Sequence, residues 1–238
     1  MGTKFSTRIW VGVVGIASIF WGSKGYADTV VSVADFGLKP DTRENAVAYV
    51  QKAIEACRGK EPVTLVFPEG RYDFWPQYAH EKNYYETNTY DVFPKRLAML
   101  FEGLHNITVD GNGSQFIMHD RIQPITVENC DGVTLKNFSI DWDIPLTAQA
   151  RVTKVGSDFF EIEINVLESP YIIEDGKLVF VGEGWKSALG SMIEFESDTH
   201  FVVPGTGDLV LGWNWGDYTA VSPRYGIVRL SRKGGFER

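Results

Sequence analysis

The 238-residue chain carries 31 acidic and 23 basic residues, a net charge of −8, and includes seven tryptophans and ten tyrosines. That acidity disfavours nucleic acid and anionic polysaccharide as partners and leaves open neutral sugars, whose faces stack on aromatic rings. Cys57 and Cys130 are too few for a disulfide scaffold, and four scattered histidines lack metal-ligand spacing, so no metal or cofactor is expected.

Residues 1–27 read as a secretory signal. Lys4 and Arg8 precede an apolar run from Ile9 to Gly22, and Gly25-Tyr26-Ala27 places small residues where a signal peptidase cuts. The run is short for a bilayer core of about 30 Å, so a retained membrane helix is the alternative reading. A mature chain starting at Asp28 would hold 20 basic and 31 acidic residues, net −11, in the periplasm or outside the cell.

Next, Val31 and Val33 alternate as a strand, and Asp41 with Glu44 reads as a capping box. Val47, Val50, Ile54 and Cys57 then fall on one stripe of an amphipathic helix ending near Gly59. An apolar strand, a Pro-Glu-Gly turn and a second strand follow over 63–74, and the polar stretch 75–95, with Glu81 and Glu86, reads as a projecting loop. Asp73 counts there as one of several scattered acids.

Two matching stretches come next, MLFEGLHNITVDGNGSQF at 99–116 and ITVENCDGVTLKNFSIDW at 125–142, 26 residues apart. Each has an apolar strand, a polar turn and a second alternating strand, with Ile107 and Val109 in register with Val133 and Leu135. Cys130 aligns with Leu104, so both cysteines read as small buried hydrophobes with no disulfide. A repeat of strands and turns predicts stacked coils of a parallel β-helix, with Thr108 and Thr134 outside. The first coil of such a stack needs a cover, which the helix would supply.

Beyond residue 145 the register breaks. Residues 150–165 alternate as a hairpin and 177–184 add a strand, which predicts an inserted antiparallel β-rich segment or small β-domain over 150–238, after a cap and first coils over 28–149. A strand over 226–230 precedes a charged tail with no closing cap, so truncation of a longer protein is expected.

VADFGLKPDTRENAVAYVQKAIEAC and VTLVFPEGRYDF resemble the opening of the pectate-lyase-like right-handed β-helix superfamily. NITVDGNGSQFIMHD, VTLKNFSIDWDIPLTAQ, ESPYIIEDGKLVFVGEGWKS and MIEFE resemble glycoside hydrolase family 110, the bacterial α-1,3-galactosidases acting on blood-group-B-type glycans. The resemblance implies an all-β right-handed parallel β-helix with an N-terminal capping helix. It also implies an exo-acting, metal-independent, inverting hydrolase of neutral galactose-terminated glycans. Inversion takes two carboxyl groups about 6.5–9.5 Å apart. The resemblance implies that they lie in coils beyond residue 238, leaving the isolated chain inactive.

Within the chain, Asp141 and Asp143 should point outward from one strand about 6.5–7 Å apart, as a sugar-binding or catalytic pair or as turn formers. His119-Asp120-Arg121 reads as a solvated turn or a hydroxyl-binding group. Trp185 and Lys186 either line a sugar site or, for the tryptophan, pack over neighbouring glycines. Two other readings stay open: a catalytically silent glycan-binding or structural β-helix module, and a polysaccharide lyase. The lyase would need a calcium-binding acid cluster and a basic groove, against the −11 charge.

Overall fold

The computed structural model describes residues 29–83, 94–204, 209–210 and 218–232. Among them the chain is mostly β, with one α-helix. Its sheets are mixed, some parallel and some antiparallel.

The first half is built on parallel strands. β1 (Thr29–Ser32) pairs with β2 (Val63–Val66), β2 with the first part of β6 (His105–Met118), and β6 with β8 (Asp131–Trp142), all parallel. β3 (Arg71–Phe74) lies parallel to the second part of β6, so β2 and β3 together run the length of that strand. In a second sheet β5 (Lys95–Glu102) pairs parallel with β7 (Gln123–Glu128), while β4 (His80–Lys82) lies antiparallel to β5. Part of the expected loop is therefore a strand, whereas Glu86 lies outside the described residues.

The 26-residue offset is the physical register of both sheets. Met99 faces Ile125, Ile107 faces Val133, Thr108 faces Thr134 and Val109 faces Leu135. Beyond Asp110 the offset between β6 and β8 slips to 24, with Ser114 opposite Phe138. Three residues of β6, Gly111–Gly113, bulge there against Asn137 alone. Gly111 must be glycine for this to close, since a Cβ would meet Phe138 Cβ at 2.5 Å and the Asn137 carbonyl at 2.7 Å. Ile107 and Val109 are fully buried, but Leu135 is 40% exposed, because no described strand covers the outer side of β8.

The helix α1 (Val47–Cys57) buries Val47, Val50, Ile54 and Cys57 and packs on β1, β2 and β5. Its start differs from the expected capping box. Asp41 accepts from the Arg71 amide, and Glu44 donates its own amide to Thr42. The N-cap position is Ala46, which has no capping side chain, and Asn45 just before it serves the first free helical amide, its Oδ1 accepting from Val47 at 3.1 Å. In the same core, Phe67, Tyr72, Phe74 and Phe116 pack as edge-on and tilted rings 4.7–6.2 Å apart.

The second half is antiparallel. β9 (Ala150–Val155) and β10 (Phe159–Ile164) form the expected hairpin, and β17 (Ile227–Arg232) and β16 (Tyr218–Arg224) extend it in the order β16-β17-β10-β9. β11 (Tyr171–Glu174), β12 (Lys177–Gly182) and β13 (Trp185–Ala188) make a second antiparallel sheet, and β14 (Ser191–Met192) pairs with β15 (Leu209–Val210). Ile162, Ile164, Leu178, Tyr218, Val228 and Leu230 form a core distinct from that of the parallel strands. The tail 233–238 lies outside the described residues.

Candidate functional site

Strands that run parallel end together, so residues just past their C-terminal ends collect on one rim. Here the end of β6 brings His119 and the end of β8 brings Asp143, whose amide still donates to the Met118 carbonyl at 3.1 Å, while the short β3 adds Arg71 and Asp73 from within the strand. The turn between β12 and β13 reaches this rim from the antiparallel half and contributes Glu183.

His119 is the centre. It is 2% exposed, with Nε2 2.9 Å from Asp73 Oδ1 and Nδ1 2.7 Å from Glu183 Oε2. Two carboxylates facing two ring nitrogens are both satisfied only if both nitrogens carry protons or one carboxyl does. Trp75 stacks flat on the imidazole, centroid to centroid 3.8 Å at 10°. The turn His119-Asp120-Arg121 is thus not solvated at its first residue, because a carboxylate on each side, buried Asp73 and half-buried Glu183, replaces water.

Asp73 is buried in the middle of β3 and is no loop acid. Burial pushes its carboxyl up, but hydrogen bonds from Arg71 and His119 outweigh that and hold it below the ordinary carboxylate range. Arg71 donates through Nε to both Asp73 oxygens at 3.0 Å, and its pKa is raised first by that bond. Its Nη2 also reaches Asp143 Oδ1 at 2.6 Å, and Arg43 lies 3.6 Å from the same oxygen.

His119, Asp143 and Glu183 present ligand-type atoms within 4.8 Å of one another. The donor set does not suit a divalent cation, since Arg71 and Arg43 already neutralise Asp143 and both His119 nitrogens face carboxylates. Asp73 and His119 are the buried pair of this network, and removing either leaves the other short of a partner, at about 1–3 kcal/mol. The arrangement is chemically a clamp: it fixes rings and strand ends and joins the two halves of the molecule.

Of the residues singled out from sequence, Asp143 enters this network. Asp141 stands outside it, exposed, its Oδ1 accepting from the Trp142 amide at 2.8 Å as a local turn former does. Trp185 packs over Gly182, where a Cβ would lie 2.1 Å from the indole, and the Arg121 guanidinium sits 5.6 Å from its ring centre. Lys186 pairs with Glu174 across the same sheet. Sequence reading missed Arg71, Asp73 and Glu183. One signal was present: an aspartate between Tyr72 and Phe74 in a short strand whose neighbours are all core.

Residues 148–237 match the family model described as GLAA-B beta-barrel domain I. The chain is 58% identical over 205 residues to alpha-1,3-galactosidase B of Bacteroides thetaiotaomicron, covering 86% of this chain and 33% of that protein. It is 36% identical over 169 residues to alpha-1,3-galactosidase A of Shewanella woodyi, covering 70% and 28%. Over 191 residues it is 30% identical to alpha-1,3-galactosidase B of Akkermansia muciniphila, covering 80% and 24%. The chain thus spans about a third or less of the length of these relatives. The 58% identity over 86% of the chain, together with the GLAA-B model matched over residues 148–237, makes this chain similar along most of its length to part of the bacterial alpha-1,3-galactosidases.

Proposed function

We propose that this chain is the N-terminal part of an exported, exo-acting α-1,3-galactosidase that releases terminal galactose, with inversion, from blood-group-B-type glycans. The observation that carries this is the 58% identity to alpha-1,3-galactosidase B over 86% of the chain. In this reading residues 1–27 are a cleaved signal, 28–149 form the cap and first coils of a right-handed parallel β-helix, and 150–238 form an inserted β-domain. Among the described residues no helix is long and apolar enough to cross a membrane.

The acid and base of hydrolysis belong, in this proposal, to later coils. Asp143 and Glu183 offer oxygens within 4.8 Å of each other and are held by Arg71 and His119, whereas an inverting pair stands about 6.5–9.5 Å apart and must exchange protons. The clamp's part is to set the β-domain against the strand ends, so that loops of both face one substrate.

The test is hydrolysis of an α-1,3-linked galactosyl disaccharide followed by proton NMR. Residues 28–238 alone should release no galactose, and the chain extended to its relatives' full length should release it first as the β-anomer. First release of the α-anomer would refute inversion, and no release by the extended chain would refute the activity. Turnover by residues 28–238 that drops by about 10²–10⁴-fold in Asp141→Asn or Asp143→Asn would move the acid and base into this chain.

A further inference from the structure

Beside Trp75 lies an open cleft of about 570 Å³, lined by Trp75, Gln77, Tyr78, Glu81, Arg96 and Asp120 among others. That size falls within the range of small-molecule sites, roughly 300–1,000 Å³. We propose that this cleft is a binding subsite for a neutral saccharide unit.

The cleft is held in shape from beneath. Trp75 lies flat on His119, whose ring is fixed at both nitrogens, so the indole rests on a platform that does not turn and loses its stacking contact if it tilts. The 75–79 loop is pinned to the helix side by Asn45 Nδ2 donating to the Gln77 carbonyl and Gln51 Nε2 donating to the Tyr78 carbonyl, both at 2.8 Å. The Ala79 amide closes a turn on the Pro76 carbonyl at 3.1 Å.

Tyr78 is the unusual member. Its backbone is left-handed, φ 69°, a conformation that favours glycine, and its side chain is 63% exposed. A large aromatic in that backbone without burial gains nothing for folding; strain of this kind collects at ligand clamps. Around the ring stand the partners that hydroxyls require. Asp120 offers a carboxylate, and Glu81 and Arg96, 3.4 Å apart and each about half exposed, offer acceptors and donors side by side.

A pyranose has an apolar C–H face and a rim of hydroxyls, which this pairing of aromatic wall and planar polar groups fits. Two acids and one arginine leave the cleft net negative, which disfavours an acidic sugar and leaves a neutral one. The inference is independent of hydrolysis, because none of these residues is assigned to bond cleavage.

The experiment titrates the full chain with the α-1,3-galactosyl disaccharide and separately with glucuronate, following tryptophan fluorescence and saturation-transfer NMR. The disaccharide should bind saturably and glucuronate should not. Tyr78→Phe should bind as the parent does. Tyr78→Gly should bind at least about tenfold more weakly, a loss of about 1.4 kcal/mol, while its thermal midpoint stays at or above the parent's, since glycine relieves the left-handed strain. Absence of saturable binding by the parent, equal binding of glucuronate, or undiminished binding by Tyr78→Gly overturns the proposal. A chain that binds without hydrolysing separates this result from the fate of the proposed activity.

Discussion

The protonation of one buried carboxyl sets how this molecule responds to acid. Asp73 is 1% exposed and, despite burial, is held below the ordinary carboxylate range by Arg71 and His119. In the unfolded chain its pKa returns to about 3.9. Between the two values the unfolded state binds the proton and the folded state does not, so stability rises with pH there. The contribution is complete above about pH 4 and is lost as pH falls through the folded value. Asp73→Asn should therefore flatten the acid limb of the unfolding curve, and at pH 7 it should cost about 1–3 kcal/mol, because Arg71 and His119 each lose one of two carboxylate partners and keep Asp143 and Glu183. Urea melts at pH 3, 5 and 7 read both effects; an unchanged acid limb would show that Asp73 does not govern it. This network was barely legible beforehand, since His119 meets Asp73 across 46 residues and Glu183 across 64. Pattern along a strand reports which face a residue takes, whereas a partner supplied by another sheet leaves no period.

At the scale of elements, local chemistry was the better guide, with one informative failure. The apolar stripe of α1 is buried where its spacing requires, yet the side chain that serves its first amide is Asn45 rather than Asp41. Asp41 has the right chemistry and the right neighbour at Glu44, but its backbone is left-handed, φ 60°, and its carboxylate is taken by the Arg71 amide. A long-range partner outcompeted the local one. Asn45→Ala should cost about 1–2 kcal/mol, since it loses the bond to the Val47 amide and also the bond that holds the Gln77 carbonyl. Glu44→Ala should stay within about 0.5 kcal/mol. Chemical denaturation of the two variants side by side distinguishes the caps, and equal losses would restore the capping box. The hairpin of β9 and β10 was legible for a simpler reason: alternation on both sides of Ser157-Asp158 specifies two faces and one turn.

For the whole molecule, the stacked register was written in the repeat, because parallel strands that share an inner face must repeat their apolar positions. What the repeat did not convey was the joining of two cores, one of parallel strands and one antiparallel, through a polar clamp. Nor did it show that Val127, Leu135 and Ile140, on the inward faces of β7 and β8, stand 38–46% exposed where no described strand lies over them. The bulge at Gly111–Gly113 carries a different lesson. Side chains along a strand alternate with a period of two, so the slip from 26 to 24 preserves every face downstream: Phe116 still meets Ile140, and Met118 meets Trp142. Parity, rather than length, is the conserved quantity at this corner. Deleting Asn112 and Gly113 together should give a folded chain, with β6 matched to β8 and the two-residue discrepancy moved to the side of β2 and β3. Deleting Asn112 alone should turn Phe116 and Met118 to solvent, each worth about 1.5–3 kcal/mol of burial, and bring Gln115 and Ile117 inward. Thermal melts would see the shorter deletion as the more damaging one, an ordering that follows from odd and even alone.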